Sequence, residues 1–323
     1  MKRYLVTGGT GFIGSALVRR LLREGNFVRV LDNDSRGDHS RLSGVAGDLE
    51  IVNGDIRSAD TVRQACKGID SVCHLAYLNG TEFFYTKPEL VLEIGVKGIV
   101  NVCDACIKEE VKELILASSS EVYQTPPRIP TDESVPLSIP DVLNPRYSYA
   151  GGKIISELMA INYGRKHFKR VIIFRPHNVY GPDMGWEHVI PQFCLRMKQL
   201  TREADSKTIK FPIQGTGKES RAFVFIDDFV DGLMLVISKG EHLGIYNIGT
   251  TEEISIKKVA QEVAAYFGKK IVILPGKPAK GGTLHRCPDI SKLKQLGYQP
   301  KFRFNQGLKI TAEWYAKQER KIG

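Results

Sequence analysis

The chain has 323 residues, of which 42% are hydrophobic and 25% charged, proportions that are ordinary for a globular protein and allow one large α/β unit or two modest domains. It contains no run of eighteen apolar residues, and its first residues lead directly into a strand, so we expect neither a transmembrane helix nor a signal peptide. The net charge is +10, but the basic residues are scattered without a basic block, which favours phosphate-bearing small ligands over nucleic acid.

The six cysteines lie in core-like segments and show no spacing typical of a disulfide framework. We therefore expect reduced thiols and a cytoplasmic protein. Cys103 and Cys106 form a C-x-x-C, but they fall within an apolar helical pattern, which favours buried helix residues over a redox pair. The seven histidines show no metal-ligand spacing, so we predict no metal site.

A glycine-rich turn follows the first apolar strand, residues 2–7, and precedes a helical pattern. Its glycines are spaced G-x-x-G-x-x-G: Gly8 permits a tight turn, Gly11 lets backbone amides approach a pyrophosphate, and Gly14 allows close helix packing. The start of the helix supplies partial positive charge. This arrangement predicts a dinucleotide site at the amino end of the chain.

The second strand, residues 27–31, ends in Asp32, which follows Gly14 by 18 residues (32 − 14). A carboxylate at this place accepts hydrogen bonds from the adenosine ribose diol and repels a 2′-phosphate. The cofactor predicted from it is NAD rather than NADP, although Arg36 lies nearby. Asp55 ends a third strand, where it either accepts from the adenine amino group or caps a helix.

Strands and helices continue to alternate through residues 50–53 and 69–73, a pattern that predicts a right-handed parallel sheet. Residues 77–88 are expected to form a long aromatic loop beside the nicotinamide. The helix predicted over 89–108 is apolar almost all round, which indicates that it packs against a partner as well as the sheet.

Residues 118–153 contain the candidate chemistry. Ser119 and Glu121 follow a buried strand, residues 114–117, and so lie at the crevice where open α/β sheets bind ligands. Tyr149 and Lys153 lie one turn apart on a predicted helix. A tyrosine has a pKa of about 10, but a lysine cation or an oxidised nicotinamide beside it lowers that value and makes a base. An ordinary helix start is the alternative for the Tyr-x-x-x-Lys pair alone.

The chain resembles the extended short-chain dehydrogenase/reductase superfamily, specifically its NAD-dependent nucleotide-sugar epimerases, dehydratases and decarboxylases. The resemblance runs through the whole chain in order, on segments 7–14, 31–33, 54–56, 74–76, 118–123, Tyr149-x-x-x-Lys153, 175–182, 221–223 and 287–290. It implies a Rossmann-type doubly wound parallel sheet with a small carboxyl-terminal α/β cap. The implied domains are 1–180 for NAD, with some later segments returning to it, and mainly 181–323 for the nucleotide sugar.

The resemblance also implies roles for single residues. Ser119 is the catalytic hydroxyl, Tyr149 the base and Lys153 its activator, with Ser120 and Glu121 beside them. The implied cofactor contacts are Gly8, Gly11, Phe12, Ile13, Gly14, Asp32, Asn33, Asp55, Ile56, Leu75, Ala76, Tyr149, Lys153 and Pro176. The implied diphosphate contacts are Asn178, Arg221 and Arg286.

Four features depart from the family pattern. Gly95 stands where the family often has asparagine, and Gly151-Gly152 replaces a pair of small residues, at a cost of roughly 1 kcal/mol per glycine in a helix. This space either admits a bulky sugar substituent or loosens the helix. Gln124 replaces a common glycine, and residues 200–210 form a polar insertion near the expected base site.

The family chemistry begins when Tyr149 removes the proton from the carbon-4 hydroxyl while a hydride leaves carbon 4. The Ser-Ser-Glu sequence at 119–121 favours a 4,6-dehydratase or decarboxylase, in which Glu121 acts at carbon 5. A 4-epimerase or 4-oxidoreductase is the alternative, and a non-catalytic NAD sensor is a remote one. We also expect a twofold homodimer in which the 89–108 helix and the Tyr149 helix form a four-helix bundle.

Overall fold

A computed structural model describes residues 1–203, 206–277 and 282–319. The strands are β1 (Arg3–Thr7), β2 (Phe27–Asp32), β3 (Leu49–Asn53), β4 (Ser71–His74), β5 (Glu113–Ala117), β6 (Arg170–Pro176), β7 (Val179–Tyr180), β8 (Thr208–Ile213), β9 (Ser220–Ala222), β10 (Val224–Phe225), β11 (Gly244–Ile248), β12 (Glu253–Ser255), β13 (Lys270–Pro275) and β14 (His285–Arg286). The helices are α1 (Phe12–Arg23), α2 (Ala59–Cys66), α3 (Thr81–Thr86), α4 (Pro88–Lys108), α5 (Tyr147–His167), α6 (Val189–Glu203), α7 (Ile226–Lys239), α8 (Ile256–Tyr266), α9 (Ser291–Gln295) and α10 (Phe304–Lys317), with short 3₁₀ helices at His39–Leu42 and Ser120–Tyr123.

Seven strands form one parallel sheet in the order β11-β6-β5-β4-β1-β2-β3. The order reverses between β1 and β4, so a crevice opens there at the carboxyl ends of the strands. Neighbouring residues of β1 point to opposite faces: Val6 packs in a buried cluster with α1 and α7, and Leu5 packs in another with α2, α4 and α5. Helices therefore cover both faces, and the predicted doubly wound Rossmann-type sheet is confirmed.

Smaller sheets lie outside the main one: β8 pairs with β13, β7 pairs with β10, and β9 lies between β12 and β14. Alternate residues of β8 are buried, as expected for a strand with one face on a core. Helices α6, α8 and α10 pack on one another beside β13. The polar insertion at 200–210 spans the end of α6 and the start of β8, and two of its residues, 204 and 205, lie outside the described part of the chain.

The structure corrects one expectation about the segment that follows β4. Residues 77–88 are not a continuous loop, because Thr81–Thr86 forms the short helix α3. Its Phe84 is buried, with its ring stacked 4.9 Å from that of Tyr149, and this contact explains why the segment folds. All six cysteines are free and buried. None of the helices in the described ranges is both long and apolar enough to cross a membrane.

Candidate active site

A cleft runs along the carboxyl ends of β1, β2, β4, β5 and β6. The predicted site residues that line it are Gly8, Gly11, Phe12, Ile13, Gly14, Asp32, Asn33, Asp55, Ile56, Leu75, Ala76, Ser119, Ser120, Glu121, Tyr149, Lys153, Pro176, Asn178 and Arg286. These residues come from both halves of the sequence, and the parallel sheet brings them together because its strands all end at the same edge. Arg221 lies beside the cleft, outside its described lining.

The glycine-rich turn is shaped for a close backbone approach. Gly8 has φ +73°, and a Cβ there would lie 2.7 Å from the Ala76 nitrogen on the neighbouring strand end. A Cβ on Gly14 would lie less than 3.0 Å from the Gly8 oxygen, closer than real Cβ atoms come. Helix α1 begins directly after Gly11, so its amino end points into the cleft. Side chains larger than hydrogen would fill this cradle, and the turn therefore fits a pyrophosphate.

Asp32 lines the cleft at the end of β2, where the resemblance implies contact with the adenosine ribose. Its Oδ2 accepts from the Thr10 backbone N–H at 3.0 Å, and its Oδ1 accepts from that of Asp34 at 3.0 Å, which fixes the carboxylate at the end of β2. Arg36, the residue that leaves NADP open in the sequence, pairs with Glu187 at 3.4 Å and lies 5.1 Å from the Phe83 ring centre. The residues present thus fit NAD, with a fixed carboxylate and an arginine engaged elsewhere.

Asp55 is held by a neighbouring arginine. Arg57 Nη2 lies 2.7 Å from Asp55 Oδ2, and the hydrogen bonds from Arg57 hold the pKa of the Asp55 carboxyl below its ordinary value. Asn33 Nδ2 also donates to Asp55 at 3.2 Å. The backbone N–H of Arg57 donates to Asp55 at 2.8 Å, as in a turn. An adenine contact and this local role are compatible, and the adenine contact stays a prediction.

The segment after β5 is fixed by buried polar contacts. Lys153 Nζ donates to the Ala117 carbonyl at 2.7 Å, and the Ser118 hydroxyl donates to Glu157. Glu157 in turn forms a buried ion pair with Arg175 at 2.6 Å. A buried charge pair with its hydrogen bonds satisfied gives a loop little freedom. Helix α5 and strand β6 therefore anchor the point where Ser119 enters the cleft.

Tyr149 and Lys153 are both buried in the cleft wall. Burial raises the pKa of the Tyr149 phenol above its ordinary value, while a hydrogen bond with the Ser119 side chain acts in the opposite direction. Burial lowers the pKa of the Lys153 ammonium to about 7, against the opposing effect of Glu157. The lysine alone therefore does not produce the lowered tyrosine pKa expected from the sequence. The positive ring of an oxidised nicotinamide is the second source of charge that would lower it.

Glu121 lies in the cleft against arginines. Its Oε1 accepts from Arg286 Nη1 at 2.7 Å, and its Oε2 lies 3.9 Å from Arg146 Nη2. Burial favours a higher pKa for the Glu121 carboxyl, but the charges of Arg286, Arg146 and Arg221 outweigh it and lower the pKa. Glu121 is therefore an ionised carboxylate while these arginines face it.

Arg221 donates hydrogen bonds to three backbone carbonyls. Its Nη1 donates to the carbonyls of Ser220 and Leu284 at 2.7 and 3.2 Å, and its Nη2 donates to that of Thr283 at 2.8 Å. These bonds tie β9 to the segment that carries Arg286. The diphosphate contact implied for Arg221 stays a prediction, and so does that of Asn178, whose amide donates to the Ala222 carbonyl at 3.2 Å.

Sequence reasoning misses two residues that contact the predicted catalytic groups. Arg146 lies three residues before Tyr149, and that spacing of about one helical turn is the signal that could have found it. Tyr77 lies with its ring centre 4.1 Å from Lys153 Nζ and 5.1 Å from the Tyr149 ring centre. No local pattern marks Tyr77, because the glycines that accommodate it are far away in the sequence.

Comparison with known proteins agrees with this geometry. Residues 4–249 match the NAD dependent epimerase/dehydratase family. The UDP-N-acetyl-alpha-D-glucosaminuronate decarboxylase of Bacillus cytotoxicus is 30% identical, over 97% of this chain and 98% of that protein. UDP-glucuronic acid decarboxylase 6 of Arabidopsis thaliana is 31% identical, over 96% of this chain and 88% of that protein.

A solved structure extends the likeness to three dimensions. A double mutant of DesIV of Streptomyces venezuelae, a dTDP-glucose 4,6-dehydratase, was solved with NAD bound, and it superposes with a TM-score of 0.86 at 29% identity, over 98% of this chain and 97% of that one. The chain belongs to the NAD-dependent epimerase/dehydratase family of the extended short-chain dehydrogenase/reductase superfamily, and it is an NAD-dependent enzyme of nucleotide sugars.

Proposed function

We propose that the enzyme oxidises carbon 4 of a nucleotide-diphosphate sugar that carries a carboxylate at carbon 6, and that the oxidised sugar then loses carbon dioxide. The observation that supports this reaction is the placement of Arg286 and Arg146 around Glu121, at 2.7 and 3.9 Å. The diphosphate is attached at carbon 1, across the ring from carbon 4. Arg286, for which the resemblance implies a diphosphate contact, is therefore assigned together with Arg146 to the carbon-6 carboxylate. The reason is that its guanidinium pairs with Glu121, two residues after Ser119.

The catalytic residues divide the first step between them. Tyr149 accepts the proton of the carbon-4 hydroxyl, and Ser119 shares the hydrogen bond to that oxygen. Bound NAD supplies the acceptor for the hydride of carbon 4. Lys153 remains close to the Tyr149 ring, 5.9 Å from its centre, and it favours the phenolate when it carries a charge.

The ketone at carbon 4 makes a carbon-6 carboxylate a β-keto acid. The bond between carbons 5 and 6 breaks, carbon dioxide leaves, and the electron pair moves towards the carbon-4 oxygen, where Ser119 and Tyr149 hold it. A proton must then reach carbon 5. A substrate carboxylate that pairs with Arg286 and Arg146 competes for the charges that lower the pKa of Glu121, and burial then raises that pKa. Glu121 is thereby placed to donate the proton.

A 4,6-dehydratase is the second candidate, because Glu121 lines the cleft two residues after Ser119 and can instead take a proton from carbon 5. DesIV, a structural relative at 29% identity, supports it. A 4-epimerase uses the same first step without touching carbon 5, and structural relatives at 26% and 28% identity carry that name. The three reactions differ in what leaves the sugar: carbon dioxide in the decarboxylase, water in the dehydratase, and nothing in the epimerase.

Matched substrates test the proposal. UDP-glucuronic acid and UDP-glucose differ only in the carbon-6 group, and we expect carbon dioxide from the first and little turnover of the second. Replacing Arg146 by glutamine removes a charged hydrogen-bond donor, which is worth about 1.5–3 kcal/mol, so KM for the uronic acid rises by about tenfold or more. Equal or better dehydration of UDP-glucose would overturn the decarboxylase assignment, and a parallel dTDP-sugar pair checks the base.

We also propose a twofold dimer and a cytoplasmic location. The outer faces of α4 and α5 expose Leu92, Ile155 and Leu158 by 37, 39 and 56%. Because the two helices pack together, these side chains form a continuous apolar surface, which a four-helix bundle would bury. The free, buried cysteines support a reducing compartment.

Leu158→Glu is expected to convert the dimer into a monomer, because it places a charge at the most exposed apolar position of this surface. Light scattering at micromolar concentration measures the mass of both proteins. Lys97→Glu is the matched charge control, because Lys97 lies on the same helix pair with similar exposure, 60%, but is not one of the three apolar residues. This variant should leave the dimer intact. A wild-type protein of monomeric mass would contradict the proposal.

A further inference from the structure

Tyr77 occupies a notch between helices α4 and α5. A Cβ on Gly95 of α4 would lie less than 3.0 Å from the Tyr77 Oη, Cζ and Cε2 atoms, and a Cβ on Gly152 of α5 would lie less than 3.0 Å from Oη. Real Cβ atoms do not approach this closely, so a side chain at either glycine would displace the tyrosine. The space beside Gly152 is therefore filled by Tyr77 and does not admit a sugar substituent. A Cβ on Gly151, in contrast, would lie 3.7 Å from Ile139 Cδ1, an ordinary contact distance.

These two glycines are among the positions at which the sequence departs from its family pattern. They belong to different helices and lie 57 residues apart (152 − 95), yet both face one side chain. A glycine in the interior of a helix costs roughly 1 kcal/mol. The chain therefore carries two destabilising residues whose shared effect is to admit Tyr77 to this place.

The ring of Tyr77 contacts both members of the predicted proton-transfer pair. Lys153 Nζ lies 4.1 Å from its ring centre, within the range of a cation–π contact. The Tyr149 ring meets it edge to face, with centres 5.1 Å apart and planes at 82°. The Tyr77 hydroxyl, in contrast, is buried and forms no hydrogen bond within the described chain. Tyr77 therefore contacts Lys153 and Tyr149 through its ring and not through its hydroxyl.

We propose that Tyr77 is a positioning residue, whose ring holds Lys153 and Tyr149 in register for proton transfer, and that Gly95 and Gly152 form the notch that admits it. The ring also covers Lys153 on its α4 side and keeps water from its ammonium group. This inference rests on Tyr149 and Lys153 as the proton-transfer pair of the proposed function. It does not depend on which group leaves the sugar afterwards.

The geometry makes the two glycines respond differently to one substitution. At Gly152 the close atom is Oη, and the next, Cζ, would lie 3.3 Å away, whereas at Gly95 the ring carbons themselves are too close. In Gly152→Ala the added methyl group clashes with the Tyr77 hydroxyl, so Tyr77→Phe should remove that clash. In Gly95→Ala the methyl group clashes with the ring itself, so Tyr77→Phe should leave the clash in place. Tyr77→Ala should relieve both, because it removes the ring.

A set of single and double variants tests this prediction through the rate of NADH formation in a single turnover, normalised to folded protein. Tyr77→Ala, Gly95→Ala and Gly152→Ala should each lower the rate by about 10- to 100-fold, since a misplacement of about 1 Å costs that much. Tyr77→Phe should retain most of the rate, and Tyr77→Phe with Gly152→Ala should regain it. Gly152→Ala added to Tyr77→Ala should cost nothing further, because the two changes remove the same ring.

A second measurement does not require turnover. Lys153 lines the cleft, so a small acylating reagent reaches its neutral amine from that side, and the pH dependence of the labelling, read by peptide mass spectrometry, gives its pKa. Burial is the main cause that lowers this pKa to about 7 in the wild type. Tyr77→Ala removes a cation–π contact that favours the charged ammonium, but it also admits water, and hydration of the ammonium is the larger effect, so the midpoint should move upwards. Lys97, which is 60% exposed, is the internal control, and the pH dependence of its labelling should be the same in the wild type and in Tyr77→Ala.

The outcomes separate the two proposals. Without turnover of any nucleotide sugar, the proposed function fails, while the labelling midpoint still tests Tyr77. A purely structural role predicts that Tyr77→Ala lowers the melting temperature but leaves the normalised rate and the Lys153 midpoint as in the wild type. That result, or a failure of Tyr77→Phe to rescue Gly152→Ala, would overturn the positioning role.

Discussion

Replacing Tyr149 by phenylalanine is expected to lower the rate of oxidation at carbon 4 by about 10²- to 10⁴-fold, the usual contribution of a general base. The substitution removes only the phenol oxygen, which hydrogen-bonds with Ser119. The ring remains, and with it the stacking on Phe84 at 4.9 Å and the edge contact with Tyr77 at 5.1 Å. The variant should therefore fold and bind NAD as the wild type does.

NADH absorbance in a single turnover measures this rate directly. Tyr147→Phe is the matched control, because Tyr147 is a buried tyrosine of the same helix that lies outside the described lining of the cleft. Its rate should equal that of the wild type. Both variants should release NAD(H) on denaturation, as the wild type should if the cofactor is regenerated within each cycle. Rapid NADH formation by Tyr149→Phe would remove Tyr149 from the role of base.

The elements that the sequence predicts well are those specified by local patterns. Alternating apolar strands and amphipathic helices determine the parallel sheet, and the spacing of Gly8, Gly11 and Gly14 determines the turn at its edge. Tyr149 and Lys153 are recognisable for the same reason, since one helical turn relates them. Parallel strands that all end at one edge then bring these segments together.

Contacts between distant segments are harder to infer. Arg286 reaches Glu121 across 165 residues, and nothing in either segment specifies that pairing. Tyr77 depends on two glycines of separate helices, so their effect is visible only when α4 and α5 are packed. Helix α3 is short, and its stability comes from the packing of Phe84 rather than from its own sequence pattern.

Glu121→Gln is expected to stop the reaction after the oxidation of carbon 4. Glutamine keeps the size of the side chain, and its carbonyl oxygen can still accept the hydrogen bond from Arg286 that Glu121 Oε1 accepts at 2.7 Å. It cannot hold or release the proton that must reach carbon 5. Product formation should therefore fall by about 10²- to 10⁴-fold, while NADH still appears in a single turnover.

Glu133→Gln is the matched control for this substitution. Glu133 is partly buried and accepts from the Asn247 backbone N–H at 2.8 Å, a bond that a glutamine oxygen can also accept. It lies outside the described lining of the cleft, so product formation should be that of the wild type. If product formation falls in Glu121→Gln but not in Glu133→Gln, the effect comes from the position of Glu121 in the cleft and not from the removal of a carboxylate charge in general.

The position at which the Glu121→Gln variant stops distinguishes the candidate reactions. In a decarboxylase or a dehydratase, wild-type product formed in deuterated water carries deuterium at carbon 5, and the variant should lose it together with the product. Carbon dioxide release then separates the decarboxylase from the dehydratase. In a 4-epimerase carbon 5 is never touched, so the variant would form product at the wild-type rate and without deuterium. That outcome would remove the role of Glu121 at carbon 5 and leave a 4-epimerase as the function that Ser119, Tyr149 and Lys153 support.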